Sequence, residues 1–175
     1  MATIYFLRHG QSVSNVNDTF SGLKDDTTLT LKGEAQAVLA GEGLKSSEIR
    51  IDRFVASPLN RAQKTARLVS DVIGFDAKNI ETDPRFGEYD MGELTGKPRT
   101  SVTSAQLIAA KGAEDPRQFM QRVGDALKEL ENSEGNILVV SHAGVGRIIR
   151  CYKEGIDPTG FYDLPAYPNA MVVPL

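Results

Sequence analysis

The chain is sparing in residues that mark secreted scaffolds and metal centres. It holds one cysteine in 175 residues, Cys151. One thiol excludes an internal disulfide and fits a reducing compartment. It holds two histidines, His9 and His142. With no His-x-x-x-His and no Cys-x-x-Cys spacing, a metal would need carboxylates to complete its shell. No apolar run approaches the ~20 residues of a membrane span. No basic start followed by an apolar stretch marks a leader, because Ile4–Leu7 runs straight into Arg8. An excess of positive charge is absent too: 20 Lys and Arg face 23 Asp and Glu. That balance argues against a nucleic-acid surface. These absences predict a cytoplasmic protein, complete from Met1, with no nucleic-acid or membrane partner.

What is present reads as one domain over residues 1–175, with 41% hydrophobic and 25% charged residues. Thr3–Leu7, Arg53–Ala56, a weak stretch around Ile80, Ile137–Val140 and Met171–Val173 have strand character. Ile137–Val140 is apolar on both faces, as in a covered parallel sheet. Helices are expected at about 31–45, from Ser57-Pro58 to Gly74, 104–111, 116–132 and 145–153. Thr30 and Ser57 serve as N-caps in this reading. Arg85–Arg99 carries too many turn formers for a regular element. Strands alternating with helices predict an α/β fold, a three-layer α/β/α sandwich around a mostly parallel sheet.

Ligands in such sheets bind beyond the carboxyl ends of the strands. Three strand ends stand out. The first runs into Arg8-His9-Gly10, the second into Ser57-Pro58-Leu59-Asn60-Arg61, and the strongest into Ser141-His142-Ala143-Gly144. Arg offers a planar fork matched to phosphate or carboxylate oxygens. The helix starts after Ser57-Pro58 and after Gly144 offer free N–H groups and a positive dipole end. Gly10 is expected to let the backbone turn close to the ligand. A neutral imidazole can attack phosphorus, and nearby arginines lower its pKa. A single histidine after a strand is more often structural, so the weight lies in both histidines sharing such positions. A carboxylate for proton transfer is offered by Glu81, Glu88, Asp90 or Glu93.

Leu7-Arg8-His9-Gly10-Gln11-Ser12 resembles the signature of the histidine phosphatase superfamily, which includes the cofactor-dependent phosphoglycerate mutases. The resemblance continues through Ser57–Ala66, Phe86–Gly96, Gly112–Val123 and Val140–Gly144, in order along nearly the whole chain. It implies the phosphoglycerate mutase-like form of the α/β sandwich. It implies that His9 is the nucleophile and that Arg8, Arg61 and His142 complete the phosphate pocket. Asn15, Ser21, Gly22 and Ala143 fall where the family contacts phosphate or substrate. Among the four acids the resemblance selects Glu88 as general acid and then general base. An acid in that role must be protonated with substrate bound, which predicts a mildly acidic rate optimum. No metal and no cofactor are implied.

The mutases of this family resemble the chain less than its phosphatases do. They are longer, with an insertion after the acid segment and further basic residues there. Here Lys97–Asp115 is short, holds Lys97, Arg99 and Lys111 without an adjacent arginine pair, and follows Met91 where mutases carry tyrosine. The expected activity is therefore metal-independent hydrolysis of a small phosphorylated metabolite, releasing inorganic phosphate. The alternatives are a 2,3-bisphosphoglycerate-dependent phosphoglycerate mutase and a non-catalytic phosphoryl-binding regulatory module. The walls of the site are expected from Val13–Asp26 and Met91–Asp115. Tyr162–Pro168 is expected to cover the core or rim the site. The oligomeric state is not readable.

Overall fold

A computed structural model describes all residues, 1–175. Five strands form one sheet: β1 (Thr3–Arg8), β2 (Arg53–Ala56), β3 (Ile80–Thr82), β4 (Asn136–Ser141) and β5 (Val172–Pro174). Their spatial order is β3-β2-β4-β1-β5. The β1–β4, β2–β4 and β2–β3 pairs are parallel, and only β5 runs antiparallel to its neighbour β1. The most apolar strand, β4, takes the centre. Ile137, Leu138, Val139 and Val140 are all fully buried there, as a strand covered on both faces requires.

The period-2 alternation of side chains splits the core into two halves. Ile4, Phe6, Val55, Ile137 and Val139 point to one side, with Phe119, Val123, Leu127, Val145, Ile148 and Ile149. These come from α5 (Pro116–Glu131) and α6 (Ala143–Glu154). Leu7, Phe54, Ala56, Leu138 and Val140 point to the other, with Ala37, Leu44, Ala62, Ala66 and Val69. Those belong to α2 (Leu31–Ser46) and α3 (Asn60–Ile73). The expected helix–sheet–helix layering is thus present. Two short helices, α1 (Val13–Val16) and α4 (Ser104–Ala109), lie in the connections.

The helix starts follow local chemistry. Thr30 Oγ1 accepts the Gly33 N–H at 3.0 Å and opens α2. Asp115 accepts from Arg117 and Gln118 at the start of α5, with Pro116 in the first turn. Ser57 departs from expectation. α3 begins at Asn60, its N-cap is Leu59, and no side chain of that residue caps it. Ser57 is instead drawn into the buried centre, where its hydroxyl meets His142. The α6 start also shifts, to Ala143, so that His142 itself is the N-cap.

Gly10 is required by packing. A Cβ at Gly10 would strike the Gly33 carbonyl, and one at Gly33 would strike the Gln11 backbone. Two glycines let the turn after β1 lie directly on the first turn of α2.

Candidate active site

Register brings the two histidines together. Arg8 pairs with Ser141 across β1 and β4, and the His9 N–H donates to the Ser141 carbonyl at 2.9 Å. The next residue on each strand is a histidine, and the ring centroids lie 5.2 Å apart at an interplanar angle of 62°. Both rings are buried.

The tautomer of His9 follows from its partner. Nδ1 lies 2.7 Å from the Gly10 carbonyl oxygen. A carbonyl only accepts, so Nδ1 carries the proton and Nε2 keeps its lone pair. Burial, then the charges of Arg61 and Arg8, hold the imidazole well below its usual value of 6.5, against a smaller opposing effect of the Gly10 bond. His9 is therefore neutral at neutral pH. The same holds for His142, by burial first and then Arg61, His9 and Arg8. His142 Nε2 is 2.6 Å from Ser57 Oγ.

Five buried side-chain N or O atoms have no partner, and three of them are Arg8 Nε, Arg61 Nε and His142 Nδ1. Buried polar atoms ordinarily find partners. Three orphaned nitrogens around one histidine fit an oxyanion. Burial lowers Arg8 to about 10, which leaves it cationic at neutral pH, and burial also lowers Arg61.

A cleft opens above His9. Arg8, Asn15, Ser21, Gly22 and Ala143 line it together with Glu88. Arg61 and His142 lie beneath its walls. Arg61 is 1% exposed, and its Nη1 and Nη2 donate to the carbonyls of Asp25 and Gly22 at 3.0 and 2.9 Å. One expected contributor is lost: the α3 N-terminus is occupied by Asp26, whose carboxylate accepts the Asn60 N–H at 2.7 Å. The same helix carries Arg61, whose Nε has no partner.

Glu88 is the only one of the four candidate acids on the cleft. Glu81 is paired with Arg53 at 2.6 Å on β3, Asp90 with Lys24 at 2.9 Å, and Glu93 accepts the Lys111 N–H at 3.1 Å. The Glu88 carboxylate is buried, with Oε1 accepting the Tyr89 N–H at 2.9 Å and Oε2 the Gly144 N–H at 3.1 Å. Each oxygen retains a second lone pair.

Several site residues were not foreseen. Arg147 and Phe161 line the cleft beside Arg99 and Tyr162, which belong to the expected walls. Arg147 Nε donates to the Leu164 carbonyl at 2.7 Å, and its guanidinium carbon lies 4.8 Å from the Tyr162 ring centroid. The signal was legible, because Arg147 is four residues after Ala143 on one helix and so shares its face. Asn169 Nδ2 donates to the His9 carbonyl at 2.8 Å and to Asn15 Oδ1 at 3.3 Å. No local pattern marks it. The Tyr162–Pro168 segment rims the site as expected: Tyr162 lines the cleft, and the Tyr167 carbonyl accepts from Arg8 Nη1 at 3.0 Å. No cluster of three or more His, Cys, Asp or Glu has the geometry to hold a metal ion. No helix is long and apolar enough to cross a membrane.

Residues 4–175 match the family described as "Histidine phosphatase superfamily (branch 1)". The chain belongs to this superfamily. Among curated relatives, a 2,3-bisphosphoglycerate-dependent phosphoglycerate mutase of Bartonella quintana is 37% identical over 100 residues, covering 57% of this chain and 48% of that protein. The chain thus spans about half the length of that relative. A protein of Enterobacter sp. (strain 638) named "Probable phosphoglycerate mutase GpmB" is 34% identical over 183 residues, covering 95% and 78%. A protein of Hydrogenobacter thermophilus named "Putative phosphoserine phosphatase 2" is 32% identical over 178 residues, covering 94% and 84%. Among solved structures, a mycobacterial glucosyl-3-phosphoglycerate phosphatase complexed with VO3 shares the fold, with a TM-score of 0.81 over 97% of this chain and 90% of that one, at 24% identity.

Proposed function

We propose that this superfamily member is a phosphomonoester hydrolase that works through a phosphohistidine at His9. One observation carries the reading. His9 Nδ1 is committed to the Gly10 carbonyl, which leaves Nε2 as an unprotonated nucleophile among Arg8, Arg61 and His142. In the first step Nε2 forms a bond to phosphorus while the ester P–O bond breaks. Glu88, protonated, gives its proton to the leaving oxygen. In the second step a water gives its proton to the Glu88 carboxylate and attacks phosphorus. The P–N bond breaks, the electron pair returns to Nε2, and inorganic phosphate leaves. Arg8, Arg61, His142 and the α6 N-terminus at Ala143 hold the equatorial oxygens. Asn15, Ser21 and Gly22 border the substrate. No metal and no cofactor take part in these steps.

The cleft wall narrows the substrate class. Three arginines, Arg8, Arg99 and Arg147, line it against one carboxylate, Glu88. Arg99 is paired with Asp18 at 2.9 Å. Arg147 has no carboxylate partner. A phosphoryl group at His9 engages Arg8, so Arg147 supports a small substrate with a second anionic group beside the scissile ester. Phe20, Met91 and Phe161 supply apolar contact.

The names of the curated relatives favour one other reading, a phosphoglycerate mutase. Against it, only the six-residue α4 and its flanking turns separate the acid segment from α5, leaving little chain to enclose a phosphorylated enzyme. The test is a phosphomonoester panel assayed with EDTA for the wild type and His9→Ala. Release of phosphate that resists EDTA and vanishes in His9→Ala is the expected result. Activity surviving His9→Ala removes the nucleophile assignment. Net conversion of 3-phosphoglycerate to 2-phosphoglycerate, faster than phosphate release, selects the mutase.

A further inference from the structure

We propose that Arg122, which lies outside the cleft, is the positioning residue for Glu88. The inference rests on the assignment of Glu88 as the acid. Glu88 sits in a segment between two short 3-10 turns, Pro84–Phe86 and Gly92–Leu94. No strand or helix ladder fixes its backbone. Buried carbonyls still need donors, and here side chains supply them to four successive residues. Arg122 Nη1 donates to the carbonyls of Arg85 and Gly87 at 2.6 and 2.9 Å. Arg122 Nη2 donates to the Glu88 carbonyl at 3.1 Å. Ser141 Oγ donates to the Phe86 carbonyl at 2.7 Å.

The remaining donors of Arg122 close the clamp. Nε and Nη2 grip Glu114 Oε1 and Oε2 at 2.7 and 2.9 Å. All five N–H groups of the guanidinium are thereby used. Its carbon stands 4.5 Å from the Phe119 ring centroid. Glu114 is itself tied to the acid segment, since its carbonyl accepts from the Tyr89 hydroxyl. α5 packs on the sheet through Phe119, Val123 and Leu127, so the clamp references the Glu88 backbone to the rigid core. A carboxyl group must be held within a few tenths of an ångström to transfer a proton well, and its supporting contacts set that tolerance. Lysine has three donors on a point charge and cannot reproduce this fork.

A leaving-group series separates positioning from mere stabilisation. General acid catalysis matters for a poor leaving group such as the alkoxide of β-glycerophosphate, and little for 2,4-dinitrophenyl phosphate. kcat/KM reports the steps up to phosphoryl transfer. Arg122→Gln is expected to lower kcat/KM on β-glycerophosphate by ~100-fold, within the usual range for acid–base groups. The loss on 2,4-dinitrophenyl phosphate is expected to stay below ~3-fold. Glu88→Gln should show the same split, and Arg122→Gln/Glu88→Gln should be no slower than Glu88→Gln alone. Arg122→Lys should fall between Arg122→Gln and wild type on the glycerol ester, and it carries the test if Arg122→Gln does not fold. Equal losses on both esters, or losses that multiply in the double variant, overturn the positioning role. If Glu88→Gln shows no split, the acid assignment itself fails, whatever Arg122 does.

Discussion

The carboxylate of Glu88 occupies the space that a side chain at Gly144 would fill. A Cβ there would meet Glu88 Oε1, while the Gly144 N–H donates to Oε2 at 3.1 Å. Gly144→Ala puts the better helix former into the first turn of α6, so any loss comes from displacing the carboxylate. A ~10–100-fold fall in kcat/KM on an alkyl phosphate is expected, with a stability cost of ~1–3 kcal/mol from overpacking. Steady-state kinetics and a urea melt measure the two. Unchanged kinetics would show that Glu88 tolerates displacement.

Ser57 orients His142 through one contact at 2.6 Å. Ser57→Ala leaves Nε2 of a fully buried ring without a partner, which costs ~1–3 kcal/mol. The freed imidazole should bind oxyanions less well. The inhibition constant of orthovanadate is expected to rise by ~10-fold, the effect of about 1.4 kcal/mol. A stable Ser57→Ala protein with wild-type vanadate affinity would contradict this.

Folding stability should depend on pH through the two histidines. Unfolded, both titrate near 6.5, whereas in the fold both are held well below that value, by burial first. Between those values the unfolded chain binds more protons. The stabilisation is complete above pH 6.5 and is lost as pH falls below it. The slope is up to ~2.7 kcal/mol per pH unit while both rings stay neutral in the folded state. Urea midpoints at pH 7.5 and 5.5 read this directly. A His9→Asn/His142→Asn protein should show a flatter profile, and a wild-type midpoint that does not move would refute the linkage.

Arg147 should govern substrate choice. Arg147→Met keeps an aliphatic stem and removes the charge, together with the bond to the Leu164 carbonyl. KM for a phosphate ester bearing a carboxylate is expected to rise by ~10-fold or more, in line with a charged hydrogen bond. KM for p-nitrophenyl phosphate, which has no second anion, should hold within ~2-fold. Equal shifts on both would place Arg147 with the phosphoryl group instead.

The legible parts of the molecule were those with strong periodicity or strong local chemistry. The four apolar residues Ile137–Val140 announced a central strand, and the helix faces of Phe119, Val123 and Leu127 announced the layer on it. Both histidines were marked by their place after strands. Choosing Glu88 over Glu81, Asp90 and Glu93 required the resemblance, because spacing along a turn-rich segment says nothing about which carboxylate faces inward. Ser57 misled because Ser-Pro has two good uses, capping a helix and reaching a buried ring, and tertiary contact decided between them. Asp26 was not anticipated at the α3 N-terminus because it lies 34 positions from Asn60 in the chain. Asn169 and Arg122 act through backbone carbonyls, which every residue carries, so no residue pattern points to their targets.

The strand order has a consequence for biosynthesis. β1 and β2 are never neighbours; β4 stands between them and pairs with both. A growing chain can therefore form only the β2–β3 ladder until Asn136–Ser141 has left the ribosome. Until then Phe6, Leu7, Phe54 and Val55 have no central strand to pack beside. Contacts this distant in sequence slow folding and leave apolar strands open to wrong partners. The strand that delivers His142 beside His9 is also the one that joins β1 to β2, so the histidine pair and the centre of the sheet form in the same event, before the edge strand β5 is added.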